Sequence, residues 1–280
     1  MTIVHAILLG LIQGLTEFLP ISSTAHLTLA GKFLGLIDAT HPEDWTAFIA
    51  IMQLGTIAAV LLYFSRDILG ILKSLVADLR GPAAGTERWS LNSRHAWQIA
   101  IGTIPVVVIG LAFKKLIEGA VTKELSVIAT SMIALALLLW WAEKIGKQDR
   151  DESRTTWKDG LLIGVAQSCA LIPGASRSGT TITAALFLGM TRTAAARFSF
   201  LLSIPAVLAS GIYQLAKSSP HISGLGSTNL VVATVVSGIV GYASIAFLLR
   251  YLATHSTRIF IGYRIVLGLA LWGMILAGIF

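Results

Sequence analysis

Charge is what this chain has least of. Of its 280 residues only 12% are Asp, Glu, Lys or Arg, about half the share of an ordinary soluble domain. So few charges cannot cover the surface of a water-soluble globule of this size. They also exclude a disordered chain, which needs high charge and low hydrophobicity. The basic residues behind the net charge of +7 sit in short loops between apolar stretches, which argues against a nucleic-acid-binding module. Cysteine occurs once, at Cys169, so an intramolecular disulfide and any cysteine-based zinc or iron–sulfur site are excluded. No Lys or Arg precedes the apolar residues 1–19, and Glu17 interrupts them, so no cleavable signal peptide is expected.

What the chain has in abundance is apolar sequence. The apolar share is 55% and the mean hydropathy is +0.79. Six stretches, at about 45–64, 98–116, 125–143, 198–216, 230–250 and 260–280, approach the ~20 residues that a spanning helix needs. Two more, 3–36 and 160–189, are broken in the middle by proline and small polar residues: Leu19-Pro20-Ile21-Ser22-Ser23-Thr24 and Pro173-Gly174-Ala175-Ser176-Arg177-Ser178-Gly179. Proline ends a helix and Ser or Thr starts one. Half-length helices on either side of such an elbow cannot each cross ~30 Å of hydrocarbon. The expected fold is therefore an all-α polytopic membrane protein with six transmembrane helices and two re-entrant helix hairpins.

The broken stretches repeat at an offset of 154 residues. Leu8, Gly10 and Gln13 match Leu162, Gly164 and Gln167; Ser22 matches Ser176; Phe33-Leu34-Gly35 matches Phe187-Leu188-Gly189. Repeat 1 runs to about 143 and repeat 2 from about 155 to 280, within one integral membrane domain. A hairpin does not change side and three spans do, so the second repeat is expected upside down, an inverted-topology pair. Loop charges agree. Arg66, Lys73, Arg80, Arg88, Arg94, Lys144, Lys147, Arg150, Arg154, Lys158, Arg192, Arg197, Arg250, Arg258 and Arg264 fall on the side opposite the N-terminus; Lys32, Lys114, Lys115, Lys123 and Lys217 fall on its own side. The positive-inside rule then places both termini outside. The amphipathic piece Asp67 to Leu79 reads as a helix extension or a surface helix.

The polar residues at membrane depth are the candidates for chemistry. Glu17 lies one turn after Gln13, on the same helix face, and an ionisable group inside a membrane is costly unless it is used. Its alternative is a structural acid paired with a cation, although its repeat equivalent is Leu171. Ser22, Ser23 and Thr24 can be plain helix caps. His26 follows within a turn and is either a satisfied core group or one of three groups, acid, hydroxyl and imidazole, that converge at the elbow. Arg177 sits among Ser176, Ser178, Gly179, Thr180 and Thr181 at the start of a helix. A guanidinium fork, glycine and free helix N–H groups together suit a phosphate; the alternative is an arginine bonded to backbone carbonyls or to Glu17. Inverted elbows can meet near the midplane, which sets acid, base and hydroxyls against an anion clamp.

The runs Gln13-Gly-Leu-Thr-Glu17-Phe-Leu-Pro-Ile-Ser-Ser-Thr-Ala-His26 and Pro173-Gly-Ala-Ser-Arg-Ser-Gly-Thr-Thr181 resemble the two signature motifs of bacterial undecaprenyl-diphosphate phosphatases, also called bacitracin-resistance proteins. The resemblance covers the whole chain. It implies removal of one phosphate from the C55 lipid carrier's diphosphate, recycling the carrier for cell-wall synthesis, at a site opening to the outer side of the bacterial plasma membrane. By resemblance, Glu17, Ser23, His26, Ser176, Arg177 and Thr181 occupy functional positions. Catalysis is expected from Glu17, Ser23, His26 and Arg177. Diphosphate binding is expected from Ser22, Ser176, Arg177, Ser178, Gly179 and Thr181. The family's first motif takes Glu or Gln at its first position, and this chain has Gln13, one carboxylate fewer for a metal. A diphosphate carries roughly −2 to −3, which Arg177 and a protonated His26 cannot balance beside Glu17. A divalent cation, Mg²⁺ or Ca²⁺, is therefore expected, held mainly by substrate oxygens with Glu17 as its protein contact and Gln13 nearby. The expected partners are the polyprenyl diphosphate and membrane lipids, not nucleic acid, with a homodimer left open. The attacking group is Ser23, His26 or water. Broken helices in inverted repeats also build transporters, so a flippase or carrier of an anionic phospho-lipid is the alternative. It would need no base and nucleophile.

Overall fold

The computed structural model describes residues 1–37, 42–81, 89–113, 124–218 and 227–279. Among these it holds eleven α-helices: α1 (Ile3–Phe18), α2 (Ser23–Phe33), α3 (Pro42–Tyr63), α4 (Ser65–Leu79), α5 (Leu91–Ala112), α6 (Leu125–Ile145), α7 (Trp157–Ser168), α8 (Arg177–Phe187), α9 (Arg192–Ser218), α10 (Ser227–Thr254) and α11 (Arg258–Leu276). Six of them, α3, α5, α6, α9, α10 and α11, are long and apolar enough to cross a membrane. They match the six expected spans, with one shift. The span expected at 98–116 belongs to a helix that starts at Leu91, because Ser90 caps it by accepting from the Ser93 N–H. Residues 114–116 of that span lie outside the described residues, as do Arg88, Lys114, Lys115 and Lys123 of the charge count.

The amphipathic piece is a separate helix. The backbone breaks at Phe64, and α4 then exposes Leu69, Leu72, Val76 and Leu79 while burying Ile71.

Helices α1 and α2 form one hairpin and α7 and α8 the other. At ~1.5 Å per residue, the 11-residue α2 and α8 are each about 16 Å long, roughly half a hydrocarbon core. The hairpins repeat in backbone detail. Helices α1 and α7 start at Ile3 and Trp157 behind threonine caps. Helices α2 and α8 span equivalent residues, and both end at a glycine with positive φ, Gly35 and Gly189. Ser22 and Ser176 are both N-caps with φ of 74° and 67°, a region that non-glycine residues seldom occupy and that recurs at functional sites.

Small residues bring the hairpins close to the long helices. Helix α1 packs along α10, and α7 along α5. A Cβ on Gly10 or Gly14 would lie 2.7 Å from α10 atoms, and one on Gly164 would lie 2.1 Å from the Gly102 carbonyl oxygen. With no water to drive helices together in lipid, such close backbone packing is the main attraction. Each hairpin's first helix thus rests on the middle long helix of the other half of the chain.

One end of the molecule is tied by ion pairs. Arg150 forks onto Asp159 with Nη1 and Nη2 at 3.1 and 2.8 Å. Arg192 pairs with Glu143. Arg197 reaches Asp67 at 2.8 Å and Glu152 at 2.7 Å. Burial by itself would raise the Asp159 carboxyl, but hydrogen bonds from Arg150 and Thr156 outweigh it and hold it below the ordinary carboxylate range.

Arg264 is a correction. Counted above as a loop charge, it lies inside α11 and is 0% exposed. It donates to the carbonyls of Met132, Pro20, Gly174 and Ala175 at 2.9–3.4 Å. The Pro20, Gly174 and Ala175 carbonyls lie at the elbows, where helical bonding is interrupted, and that of Met132 lies in α6; a fixed fork satisfies all four at once.

Candidate active site at the paired elbows

The two elbows meet. Arg177, first residue of α8, places Nη2 2.8 Å from Glu17 Oε1 at the end of α1. The pair is largely buried, with 17% and 8% of the side chains exposed. Ser178 Oγ donates to the Leu19 carbonyl at 3.1 Å, a second link between elbows. Arg264 is the third, since it holds carbonyls of both.

Glu17 is the hub. Its Oε2 accepts from Ser23 Oγ at 2.8 Å and from Gln13 Nε2 at 3.1 Å; its Oε1 accepts from Arg177 and from Gln53 Nε2 at 3.4 Å. Each contact has a local cause. Gln13 is one helical turn behind Glu17. Ser23 is swung back by the positive φ of Ser22. Gln53 comes from the middle of α3.

A cavity of about 210 Å³ opens at this cluster, lined by Glu17, Ser22, Ser23, Thr24, Gln53, Gln167, Ser176 and Arg177 with apolar residues of α5 and α9. Among the latter are Val106 and Ala206, each directly after the proline inside its helix, Pro105 and Pro205. Three polar atoms at this cluster are buried without a partner: Arg177 Nη1 and both amide atoms of Gln167. Gln13 Oε1, beside Glu17, is a fourth.

The sequence-predicted residues divide into three groups. Glu17, Ser23 and Arg177 come together around the cavity, and Ser22 and Ser176 line it. Ser178, Gly179 and Thr181 sit behind it. Thr181 is 0% exposed and bonds Ser199 Oγ at 2.6 Å and the Arg177 carbonyl at 2.8 Å. A Cβ at Gly179 would lie 2.6 Å from Arg264 Nη1, so this glycine makes room for the buried guanidinium. His26 stands apart. Its Nδ1 donates to the Ser22 carbonyl at 2.7 Å, and its Nε2 accepts from the Tyr263 hydroxyl at 2.6 Å. The imidazole thus shares the elbow with Glu17 and Ser23 but is bonded to neither.

Gln53, Gln167, Tyr263 and Arg264 were missed. Two carried a signal: Arg264 is an arginine inside a predicted span, and Gln167 is the repeat equivalent of Gln13. Gln53 and Tyr263 are single polar residues in apolar helices and carried none.

The described residues contain no group of three or more His, Cys, Asp or Glu able to hold a metal ion. Glu17 lines the cavity and its carboxylate is a hard oxygen donor that suits a divalent cation when a ligand supplies further oxygens; Gln13 lies beside it.

The family profile described as Bacitracin resistance protein BacA matches residues 6–270. The chain belongs to this family. Among BacA relatives, a protein of Syntrophobacter fumaroxidans is 52% identical over 275 residues, covering 98% of each chain. One of Chloroherpeton thalassium is 54% identical over 289 residues, covering 99% of this chain and 98% of the relative. One of Chlorobium phaeobacteroides is 50% identical over 287 residues, covering 99% of both. All three are named undecaprenyl-diphosphatase. In this member of the BacA family, the elbow pair is where a buried arginine meets an acid and a hydroxyl.

Proposed function

We infer that this chain is an undecaprenyl-diphosphatase: it hydrolyses undecaprenyl diphosphate to undecaprenyl phosphate and inorganic phosphate, which returns the lipid carrier to cell-wall synthesis and underlies bacitracin resistance. The observation that carries the reading is the buried Arg177–Glu17–Ser23 cluster beside a cavity, in a chain related along its whole length to proteins of that name. The transporter alternative needs no hydroxyl paired to a carboxylate and is set aside.

In this reading Arg177 Nη1, buried and unpartnered, donates to the terminal phosphate and stabilises the charge that develops there. The positive dipole end of α8, which begins at Arg177, adds to the attraction for the same anion. Ser23 Oγ, held 2.8 Å from Glu17, either attacks the terminal phosphorus with its proton passing to Glu17 while the bridging P–O bond breaks and undecaprenyl phosphate leaves, water then freeing phosphate from Ser23, or orients a water that attacks and displaces undecaprenyl phosphate directly. Glu17 is better placed than His26 to take that proton. His26 anchors the Ser22 carbonyl, and it acts as a base only after its Nε2 leaves Tyr263. A divalent cation, Mg²⁺ or Ca²⁺, would be held by Glu17 and diphosphate oxygens, with Gln13 nearby; when bound it neutralises phosphate charge.

The hairpins are read as re-entrant, the two halves as inverted repeats and both termini as outside. Support for an outward-opening cavity comes from helix position. Val106 lies 15 residues past Leu91 in α5, and Ser210 lies 18 past Arg192 in α9. Both are nearer the helix ends that share a side with the N-terminus. The ion-paired end is then cytoplasmic.

The test is phosphate release from C55 diphosphate by purified protein in detergent, with and without chelator. Wild-type protein that releases none removes the reading.

A further inference from the structure

Gln167 is the most isolated polar side chain at the cavity. It lies on α7, is 1% exposed, lines the cavity with Glu17 and Arg177, and has neither amide atom hydrogen-bonded. Its repeat equivalent shows what is missing. Gln13 bonds Glu17 one turn later, whereas one turn after Gln167 stands Leu171. The second hairpin thus keeps the amide and lacks its carboxylate. A buried amide with no partner is costly, so the partner of Gln167 comes from outside the protein.

The amide's two ends state what that partner must be. Nε2 needs an acceptor and Oε1 needs a donor. An ionised phosphate accepts only, and so satisfies Nε2. Water donates, and so satisfies Oε1. Resting on the diphosphatase reading, we propose that Gln167 is a positioning residue of the reaction: its Nε2 donates to a terminal phosphate oxygen opposite Arg177, and its Oε1 holds a water against the same phosphate. Of the two routes above, this arrangement favours direct attack by water: the water's oxygen bonds to the terminal phosphorus, its proton passes to Glu17, and the bridging P–O bond breaks to release undecaprenyl phosphate.

The test uses full-length protein in detergent, with Gln167→Leu and Gln167→Glu compared with wild type. Because no protein hydrogen bond is lost, Gln167→Leu should keep or raise the thermal midpoint. Its kcat/KM on C55 diphosphate should fall by about 10- to 100-fold, the worth of a hydrogen bond to a charged group. Gln167→Glu keeps the acceptor but sets a carboxylate against phosphate, so its KM should rise further than that of Gln167→Leu. Inorganic diphosphate should raise the thermal midpoint of wild type more than that of Gln167→Leu. Gln167→Leu within about threefold of wild-type kcat/KM overturns the proposal. A loss of activity matched by a lowered thermal midpoint also overturns it, since Gln167 would then be structural. If wild type itself releases no phosphate, the diphosphatase reading fails first, and the inorganic diphosphate shift alone judges whether Gln167 binds the anion.

Discussion

The Arg177 guanidinium meets the Glu17 carboxylate at 2.8 Å across 160 residues of sequence, and the other terminal nitrogen of the fork is buried without a partner. One terminal nitrogen of the arginine is paired with Glu17, and in the proposed mechanism the other binds the phosphate. The pair also joins the two elbows, so binding chemistry and architecture share one contact.

Arg177→Lys keeps a charge and loses the fork. A lysine that pairs with Glu17 has no second rigid donor to offer. Turnover should fall by at least ~10²-fold, since removing one preorganised donor typically costs about 10²–10³. Steady-state phosphate release checks this; a loss of only a few-fold returns Arg177 to a structural role.

Glu17→Gln keeps the shape of the hub but leaves Arg177 as a buried cation without its counter-charge. Breaking a buried pair from one side costs about 3–5 kcal/mol, so the thermal midpoint should drop along with turnover, the latter by ~10²–10⁴-fold. High Mg²⁺ or Ca²⁺ should restore part of the turnover. Gln13→Glu should be tolerated and should lower the metal concentration for half-maximal rate. Metal titrations after chelator treatment decide; a wild type that ignores chelator removes the cation from the mechanism.

His26 and Tyr263 separate two roles for the imidazole. If His26 only anchors the Ser22 carbonyl, Tyr263→Phe should leave the pH–rate profile unchanged and His26→Ala should lower turnover at every pH alike. If its Nε2 is the base, Tyr263→Phe should keep or raise turnover, and His26→Ala should abolish the acidic limb of the profile. Because Nε2 is bonded to Tyr263 and not to Ser23, the first outcome is expected.

Arg264→Met removes the fork that satisfies four carbonyls, three of them at the elbows. Unsatisfied buried carbonyls cost about 1–3 kcal/mol each when nothing replaces the donor. The variant should lose several degrees or more of thermal midpoint, read by a thermal-shift assay in detergent. A midpoint equal to wild type would show that water or relaxation replaces the guanidinium.

Topology is read with cysteines in a Cys169→Ser background, because Cys169 is exposed. Glu124 and Ser153 are both exposed and lie on opposite sides in the inverted arrangement. A membrane-impermeant thiol reagent on intact cells should label Glu124→Cys and spare Ser153→Cys. Labelling of both, or of Ser153→Cys alone, overturns the orientation.

The sequence by itself determined the solvent and the elements. Long apolar runs fix six spans because lipid forces every backbone group to pair within its own helix. Proline followed by serine fixes where both elbows bend, while the positive φ that Ser22 and Ser176 share is seen only in the structure. Local chemistry was legible too: the Gln13–Glu17 contact follows from helical spacing alone. Only the tertiary structure decided what lies further apart than a turn. That Arg177 points at Glu17, that Gln53 joins them from α3, and that His26 turns to Tyr263 depend on which helices pack together, and packing is set by small-residue contacts such as Gly10 on α10 and Gly164 on Gly102. Arg264 shows the limit most plainly. Counted by its charge it belongs in a loop, yet it is buried inside α11, because the carbonyls of two elbows and of α6 converge on one place and together replace the water that a guanidinium gives up.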